Sequence, residues 1–123
     1  MKPPVDHVRV SARGKDILIK IKRRTGLEHW NEICRVAFCR SLANSNPPAV
    51  QSRLTDNAID MDWKTFAGSY SSEFVSAVLI RANLDGVDVN SKDALADYFR
   101  AHLERGIASL QNVKTLADLV KQM

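Results

Sequence analysis

Apolar residues recur along much of the chain at the three- and four-residue spacing that places them on one face of an α-helix. The first such segment begins after Ser11, a favourable N-cap residue, and extends to about Arg24. Gly26 follows, where the end of a helix favours a residue in the left-handed conformation. The apolar face of this predicted helix consists of Gly14, Ile17, Leu18 and Ile21.

A second amphipathic helix is predicted from about Glu28 to Leu42. Pro47 and Pro48 cannot continue its hydrogen-bond ladder, so the helix must end before them. Its spacing predicts a buried face made of Trp30, Ile33, Cys34, Ala37, Phe38 and Leu42.

The second half of the chain predicts further helices after a less regular middle segment from Ala49 to Tyr70. In that segment, residues 63–66 are predicted to form a short strand or turn on the core. Helices are then predicted from Ser71 or Ser72 to about Leu84, from Ser91 to about Arg105 with Gly106 after it, and from about Val113 to Lys121 with Leu116, Leu119 and Val120 apolar.

These elements predict a mainly α, compact, single-domain multi-helix fold with one or two very short strands, the first at His7–Val10. A chain of 123 residues can enclose one core without metals or disulfides. Residues 1–123 are therefore interpreted as one domain. Residues 1–7 form a loose N-terminal arm, 11–42 a basic pair of helices resembling a helix-turn-helix, and 49–123 the remaining helical core.

The composition restricts the location of the protein. No apolar run approaches the roughly 20 residues that span a bilayer, and the N-terminus lacks the apolar region of a signal peptide. Two cysteines without an export signal indicate free thiols in a reducing compartment. A cytoplasmic location is therefore expected.

Positive charge is concentrated in the first half of the chain. Residues 1–53 contain eleven Lys or Arg and four Asp or Glu, whereas residues 54–123 contain seven and ten. A small domain with its positive excess at one end is typical of a protein that binds an anionic partner, and nucleic acid is the first candidate.

The first helix carries most of this charge on both flanks of its apolar face. Lys and Arg at this spacing can follow the phosphates of a duplex, which gives affinity independent of base sequence. The candidate DNA-binding residues are Arg13, Lys15, Lys20, Lys22, Arg23 and Arg24, with Arg35 and Arg40 as weaker candidates on the second helix. The alternative is an ordinary solvated helix whose long basic side chains cover apolar surface.

Other chemistry has little support in the sequence. Cys34 is predicted to be a core residue and Cys39 to be more exposed; on one helix they point too far apart to form a disulfide. The three histidines show no metal-binding or catalytic spacing, and no glycine-rich phosphate loop is present, so no catalytic residue, metal or cofactor is expected.

Several motifs lie within about residues 9–48: Lys22-Arg23-Arg24-Thr25-Gly26, Trp30-Asn31, Cys34-Arg35, Ala37-Phe38-Cys39-Arg40-Ser41-Leu42 and Pro47-Pro48. In this combination they resemble the DndE family of the bacterial DNA phosphorothioation, or DNA sulfur modification, system.

The resemblance implies a DNA-binding subunit without sulfur chemistry of its own. Its partners would be a cysteine desulfurase, an iron–sulfur protein and a large coiled-coil ATPase, which together replace a non-bridging phosphate oxygen with sulfur. It further implies a homotetramer that presents basic patches to duplex DNA, including nicked DNA.

Three other functions remain open at this stage. A strand followed by two helices also resembles a ribbon-helix-helix transcriptional regulator, in which strands from two copies pair and enter the major groove. Asp56, Asp60 and Asp62 could hold Mg²⁺ in a small nickase. Finally, the basic helix could bind an acidic protein instead of DNA.

Overall fold

The computed structural model describes residues 2–50 and 56–121 and has the mainly α architecture predicted from the sequence. Helices alternate with loops around one apolar core, and two short strands form a small sheet beside it. In chain order the elements are β1 (His7–Val10), α1 (Ala12–Thr25), α2 (Trp30–Ala43), β2 (Ile59–Asp62), α3 (Trp63–Ala67), a 3-10 turn (Gly68–Tyr70), α4 (Ser71–Leu84), α5 (Lys92–Ala108) and α6 (Leu116–Lys121).

Both ends of α1 have the predicted caps. The Ser11 hydroxyl accepts a hydrogen bond from the Gly14 N–H at 3.1 Å, which satisfies one of the free amides of the first turn. Gly26 adopts φ 77°, and its N–H donates to the Lys22 carbonyl. The predicted apolar face is confirmed, because Gly14, Ile17, Leu18 and Ile21 are all buried.

Helices α2 and α5 form the centre of the core. Phe38 of α2 stacks on Phe99 of α5 at 4.8 Å between ring centroids and meets Phe66 of α3 edge-on at 5.9 Å. Most of the predicted α2 face is buried, whereas Trp30 and Leu42 at its two ends are only partly buried. The aromatic cluster thus holds α2, α3 and α5 together.

The strand β1 is confirmed, and it pairs antiparallel with β2 of the same chain, with Val8 opposite Met61. Val8 and Val10 point into the core. Within the predicted N-terminal arm, Pro4 is buried, and the Asp6 carbonyl accepts a hydrogen bond from the Trp63 N–H at 3.0 Å. The segment just before β1 therefore lies against the folded chain.

The prediction of a strand or turn at residues 63–66 is wrong, because α3 forms there and the strand β2 precedes it. Trp63 and Phe66, three residues apart, lie on the same side of α3 and are both buried. Trp63 Nε1 also donates to Ser71 Oγ at 2.9 Å. Tertiary packing therefore overrides the strand preference of these aromatic residues.

The predicted end of α5 at Arg105 is also wrong, since the helix continues through Gly106 to Ala108. A Cβ atom at Gly106 would lie 1.8 Å from the Ala37 carbonyl oxygen of α2. Glycine is therefore required here for the close approach of two helix backbones, rather than for a helix end.

The last predicted helix is shorter than expected. It begins at Leu116. The hydroxyl of Thr115, the residue before the helix, accepts a hydrogen bond from the Asp118 N–H at 3.1 Å. Leu119 is buried as predicted, but Leu116 is 46% exposed, and the side chain of Val120 lies outside the described residues. No helix in the described part of the chain is both long and apolar enough to cross a membrane.

Candidate nucleic-acid interface

The outward face of α1 is strongly basic. The helix has six basic residues and one acidic residue, Asp16, so its formal charge is +5, whereas the whole chain has +4. Arg13, Lys20 and Arg23 are exposed, and Lys15 is partly buried. The fold thus turns the basic flanks predicted from the sequence toward solvent.

Most of these cations are not neutralised by the part of the chain that the structure describes. Among residues 2–50 and 56–121, Arg13, Lys15, Lys20 and Arg23 have no hydrogen-bond or ion-pair partner. An exposed cation without a partner can contact a phosphate without first breaking an internal ion pair. These four side chains are therefore the best placed of the predicted residues for anion binding.

Lys22 is oriented by an aromatic ring. Its Nζ atom lies 4.2 Å from the centroid of the Trp30 ring, at the start of α2. This cation–π contact keeps the positive charge at the surface beside Arg23. Trp30 is only partly buried, so the sequence prediction that it belongs to the core is right for only part of its surface.

Arg24 connects α1 to the C-terminal segment. Its Nη1 atom donates to the carbonyl oxygens of Gln111 at 3.3 Å and Val113 at 3.2 Å. The side chain is exposed, yet these two bonds fix its position. Arg24 therefore has a structural role besides its predicted contact with DNA.

The weaker candidates on α2 also bond to the protein. Arg35 Nη1 donates to the Phe66 carbonyl at 3.3 Å, and it lies over Gly68 so closely that a Cβ there would approach it to 2.8 Å. Arg40 donates to Ser109 through Nε at 3.0 Å and through Nη2 at 3.1 Å. Both arginines link α2 to neighbouring segments, unlike the unpaired cations of α1.

Two further arginines that the sequence did not single out fix the end of α2. Arg81 of α4 donates to the carbonyls of Leu42, at 2.8 Å, and Asn46, at 3.1 Å. Arg105 of α5 donates to the carbonyls of Ser41, at 2.8 Å, and Asn46, at 2.7 Å. Cations stabilise a helix C-terminus, where carbonyl groups lack partners. Both arginines lie in the last turns of their own helices, but no sequence signal indicates that they bond the end of α2.

A buried polar cluster adjoins these arginines. His102 is fully buried, and its Nδ1 atom lies 2.7 Å from Ser41 Oγ. Burial, followed by the charges of Arg105 and Arg81, lowers the pKa of His102 to about 4. Burial and the hydrogen bond to Asp85 raise the pKa of Tyr98. The imidazole of His102 and the hydroxyl of Tyr98 are therefore neutral near pH 7. Their hydrogen bonds connect α5 to Ser41 of α2 and to Asp85 at the end of α4.

The two cysteines are free thiols. Burial, and then the charge of Glu104, raises the pKa of Cys34 to about 12. Burial also raises the pKa of the partly buried Cys39. Because the thiolate is the reactive form of cysteine, Cys34 is poorly suited to act as a nucleophile or to carry sulfur.

Two of the three aspartates proposed for a nickase, Asp56 and Asp60, make separate structural contacts. Asp56 accepts a hydrogen bond from the Ala12 N–H at the start of α1, at 3.0 Å. Slight burial raises the pKa of Asp60, but hydrogen bonds from Arg9 and His7 outweigh it and hold that pKa below its usual value. Within the part of the chain that the structure describes, no three His, Cys, Asp or Glu residues form a group that could hold a metal ion.

The fold and its exposed basic helix define a small, mainly α protein with a basic face. The chain belongs to the family of the DNA sulphur modification protein DndE, whose family model matches residues 7–118. Its structure is similar to the crystal structure of DndE from Escherichia coli B7A, described as involved in DNA phosphorothioation modification. The TM-score is 0.71 and the sequence identity 25%, over 86% of this chain and 96% of that one. A comparison with curated protein sequences gave no significant match.

Proposed function

We propose that this protein is a non-catalytic, cytoplasmic DNA-binding subunit of a bacterial DNA phosphorothioation system, and that it holds duplex DNA, including nicked DNA, through backbone contacts from α1. The observation that carries the proposal is a group of cations on one helix, Arg13, Lys15, Lys20 and Arg23, that have no partner among residues 2–50 and 56–121. Membership of a DNA sulphur modification family makes DNA the natural anion for this surface.

The dimensions of α1 suit a phosphate backbone. From Arg13 to Arg24 the helix rises about 16 Å at 1.5 Å per residue, which is enough to pass several phosphates of a duplex. One face of α1 is buried, and the basic side chains lie on the flanks of that face. They can therefore contact a DNA backbone that lies across the outward side of the helix. Contacts of this kind position DNA without reading its base sequence.

Other subunits would then complete the modification. The family resemblance implies a cysteine desulfurase, an iron–sulfur protein and a coiled-coil ATPase as partners, and a homotetramer as the DNA-binding form. Four copies of α1 in one assembly would convert individually weak phosphate contacts into tight binding, because the later contacts become intramolecular. The basic surface would thus present DNA to the subunits that exchange oxygen for sulfur.

The salt dependence of DNA binding tests the proposal. The double variant Lys20→Ala, Arg23→Ala removes two unpaired cations from α1. We expect the slope of log affinity against log salt to become shallower by about 1.8 for each bound chain, since each lost phosphate contact contributes about 0.9. Fluorescence anisotropy with a labelled duplex at several salt concentrations measures this slope.

The matched control is the double variant Lys64→Ala, Lys114→Ala, which removes two exposed lysines from other parts of the chain. It has the same net charge as the α1 variant, so it separates a local contact from a general charge effect. Equal slopes for the two variants would refute the assignment to α1. A thousandfold difference in affinity between unrelated duplexes would instead support a sequence-specific regulator.

A further inference from the structure

A shallow groove opens beside the α1–α2 turn, next to the proposed DNA-binding surface. Its volume is about 480 Å³, within the range of clefts that accept small ligands. One part of its lining is apolar and is formed by Ile19, Leu27 and Trp30. The other part is charged and consists of Lys22, Arg23 and Glu28.

The apolar part of the groove is unusual for its position on a basic helix. Ile19 is 37% exposed, although its neighbours on the outward face of α1 are charged. Leu27 and Trp30 are also only partly buried. An apolar patch bordered by Lys22 and Arg23 fits a ligand that has a flat apolar part joined to an anion.

We propose that this groove binds one unpaired nucleotide of a DNA strand, with the base against Ile19, Leu27 and Trp30 and the phosphate on Lys22 and Arg23. The inference rests on the proposed function, because it adds a base-binding pocket to the phosphate-binding face of α1. Glu28 can accept a hydrogen bond from the exocyclic amino group of adenine, guanine or cytosine.

A base can replace the lysine on the Trp30 ring. In the free protein the Lys22 ammonium lies 4.2 Å from the centroid of that ring. Stacking of a base on an aromatic ring is stronger than a cation–π contact at an exposed site. The flexible lysine stem lets the ammonium move from the ring to the phosphate of the same nucleotide, so its charge remains paired.

This groove would act only where a nucleotide has left the helical stack. In an intact duplex the faces of the bases are covered by their neighbours, so only phosphates reach α1. A bulge exposes a base next to a regular backbone. The protein would therefore bind a bulged duplex more tightly than an intact duplex, although both engage the same cations.

The test compares an intact duplex with a duplex of the same sequence that carries one extra unpaired adenine. Binding is followed by anisotropy and by quenching of tryptophan fluorescence, to which buried Trp63 should contribute little. We expect tighter binding and stronger quenching with the bulged duplex. Ile19→Ser and Trp30→Leu should each weaken binding of the bulged duplex by roughly 5- to 100-fold. Ile19→Ser should leave the intact duplex almost unchanged, because Ile19 is uncharged and Lys22 lies over Trp30 instead.

Leu116→Ser is the control, because it also removes an exposed aliphatic side chain but lies outside the groove. If Trp30→Leu does not fold, Ile19→Ser still tests the groove, because Ile19 is exposed and its replacement should not unfold the protein. The proposal for the groove would be overturned if the natural protein bound both duplexes with equal affinity. It would also be overturned if Ile19→Ser lost the same factor of affinity for both duplexes. Failure to bind either duplex at low salt would instead overturn the proposed function, and the groove with it.

Discussion

The basic residues of this protein fall into two groups: some are exposed to solvent, and others stabilise the fold through hydrogen bonds. Arg13, Lys20 and Arg23 face solvent without a partner in the described part of the chain, whereas Arg81 and Arg105 bond several carbonyl groups. All five have the same charge, so composition cannot distinguish them. What differs is whether their donors already have acceptors, and this decides which of them can contact a phosphate without a structural cost.

His102 makes folding stability sensitive to mild acid. Its pKa is lowered from 6.5 to about 4 in the folded protein, so the unfolded chain binds a proton more readily between these values. The stability that this residue contributes is therefore complete above pH 6.5 and decreases as the pH falls toward 4. We expect His102 to account for a loss of about 2 kcal/mol in the free energy of unfolding between pH 7 and pH 5.

Urea denaturation of the natural protein and of His102→Gln at both pH values measures this contribution. Glutamine does not titrate, so the variant should lose less stability on acidification, although it starts from a lower value because the bond to Ser41 is disturbed. Parallel pH dependence of the two proteins would show that carboxylates, rather than His102, cause the acid sensitivity.

Helices α2 and α5 approach each other closely, and the approach depends on the lack of a side chain at Gly106. At Gly106 the backbone of α5 nearly touches the Ala37 carbonyl of α2. The same two helices bring Phe38 and Phe99 into contact. Any increase in their separation would therefore also loosen the aromatic cluster on which α3 packs.

Gly106→Ala should destabilise the protein, although alanine favours a helix by about 1 kcal/mol over glycine. The added methyl group would meet a backbone carbonyl, which cannot rotate away as a side chain can. We expect a net loss of about 2 kcal/mol or more in the free energy of unfolding, measured by thermal or urea denaturation. The control is Ala108→Ser, at an exposed position of the same helix, which should change the free energy of unfolding little. If Gly106→Ala were as stable as the natural protein, α2 and α5 could separate without cost.

For the whole molecule, charge and apolar surface are unevenly distributed. Residues 1–53 have a formal charge of +7 and residues 54–123 a charge of −3, from eleven against four and seven against ten charged residues. Two large apolar side chains of α4, Ile80 and Leu84, are 63% and 75% exposed. A basic face on α1 and exposed apolar side chains on α4 accord with the proposal of a subunit that binds DNA and assembles with other chains.

The expected tetramer can be tested by light scattering. Four copies of a chain of 13.8 kDa would give a mass near 55 kDa. If the exposed apolar residues of α4 lie between subunits, Leu84→Glu should reduce this mass, because a buried carboxylate without a partner is costly. A mass of one chain for the natural protein at micromolar concentration would contradict the tetramer.

The sequence alone determined the elements with strong local signals. Helix α1 was predicted with both caps and its buried face because Ser11, Gly26 and the apolar spacing act over short distances along the chain. The family was indicated by residues 9–48 and is confirmed over residues 7–118. The assignment of the basic residues to DNA stays a prediction.

Tertiary structure decided what local signals could not. The helix α3, the continuation of α5 through Gly106 and the pairing of β1 with β2 depend on contacts between residues far apart in sequence. The same holds for the cations of α1 and α2: Arg35 and Arg40 bond neighbouring segments, while Lys20 and Arg23 remain open to solvent. Sequence fixes where charge occurs along the chain, but only the fold determines which donors already have acceptors.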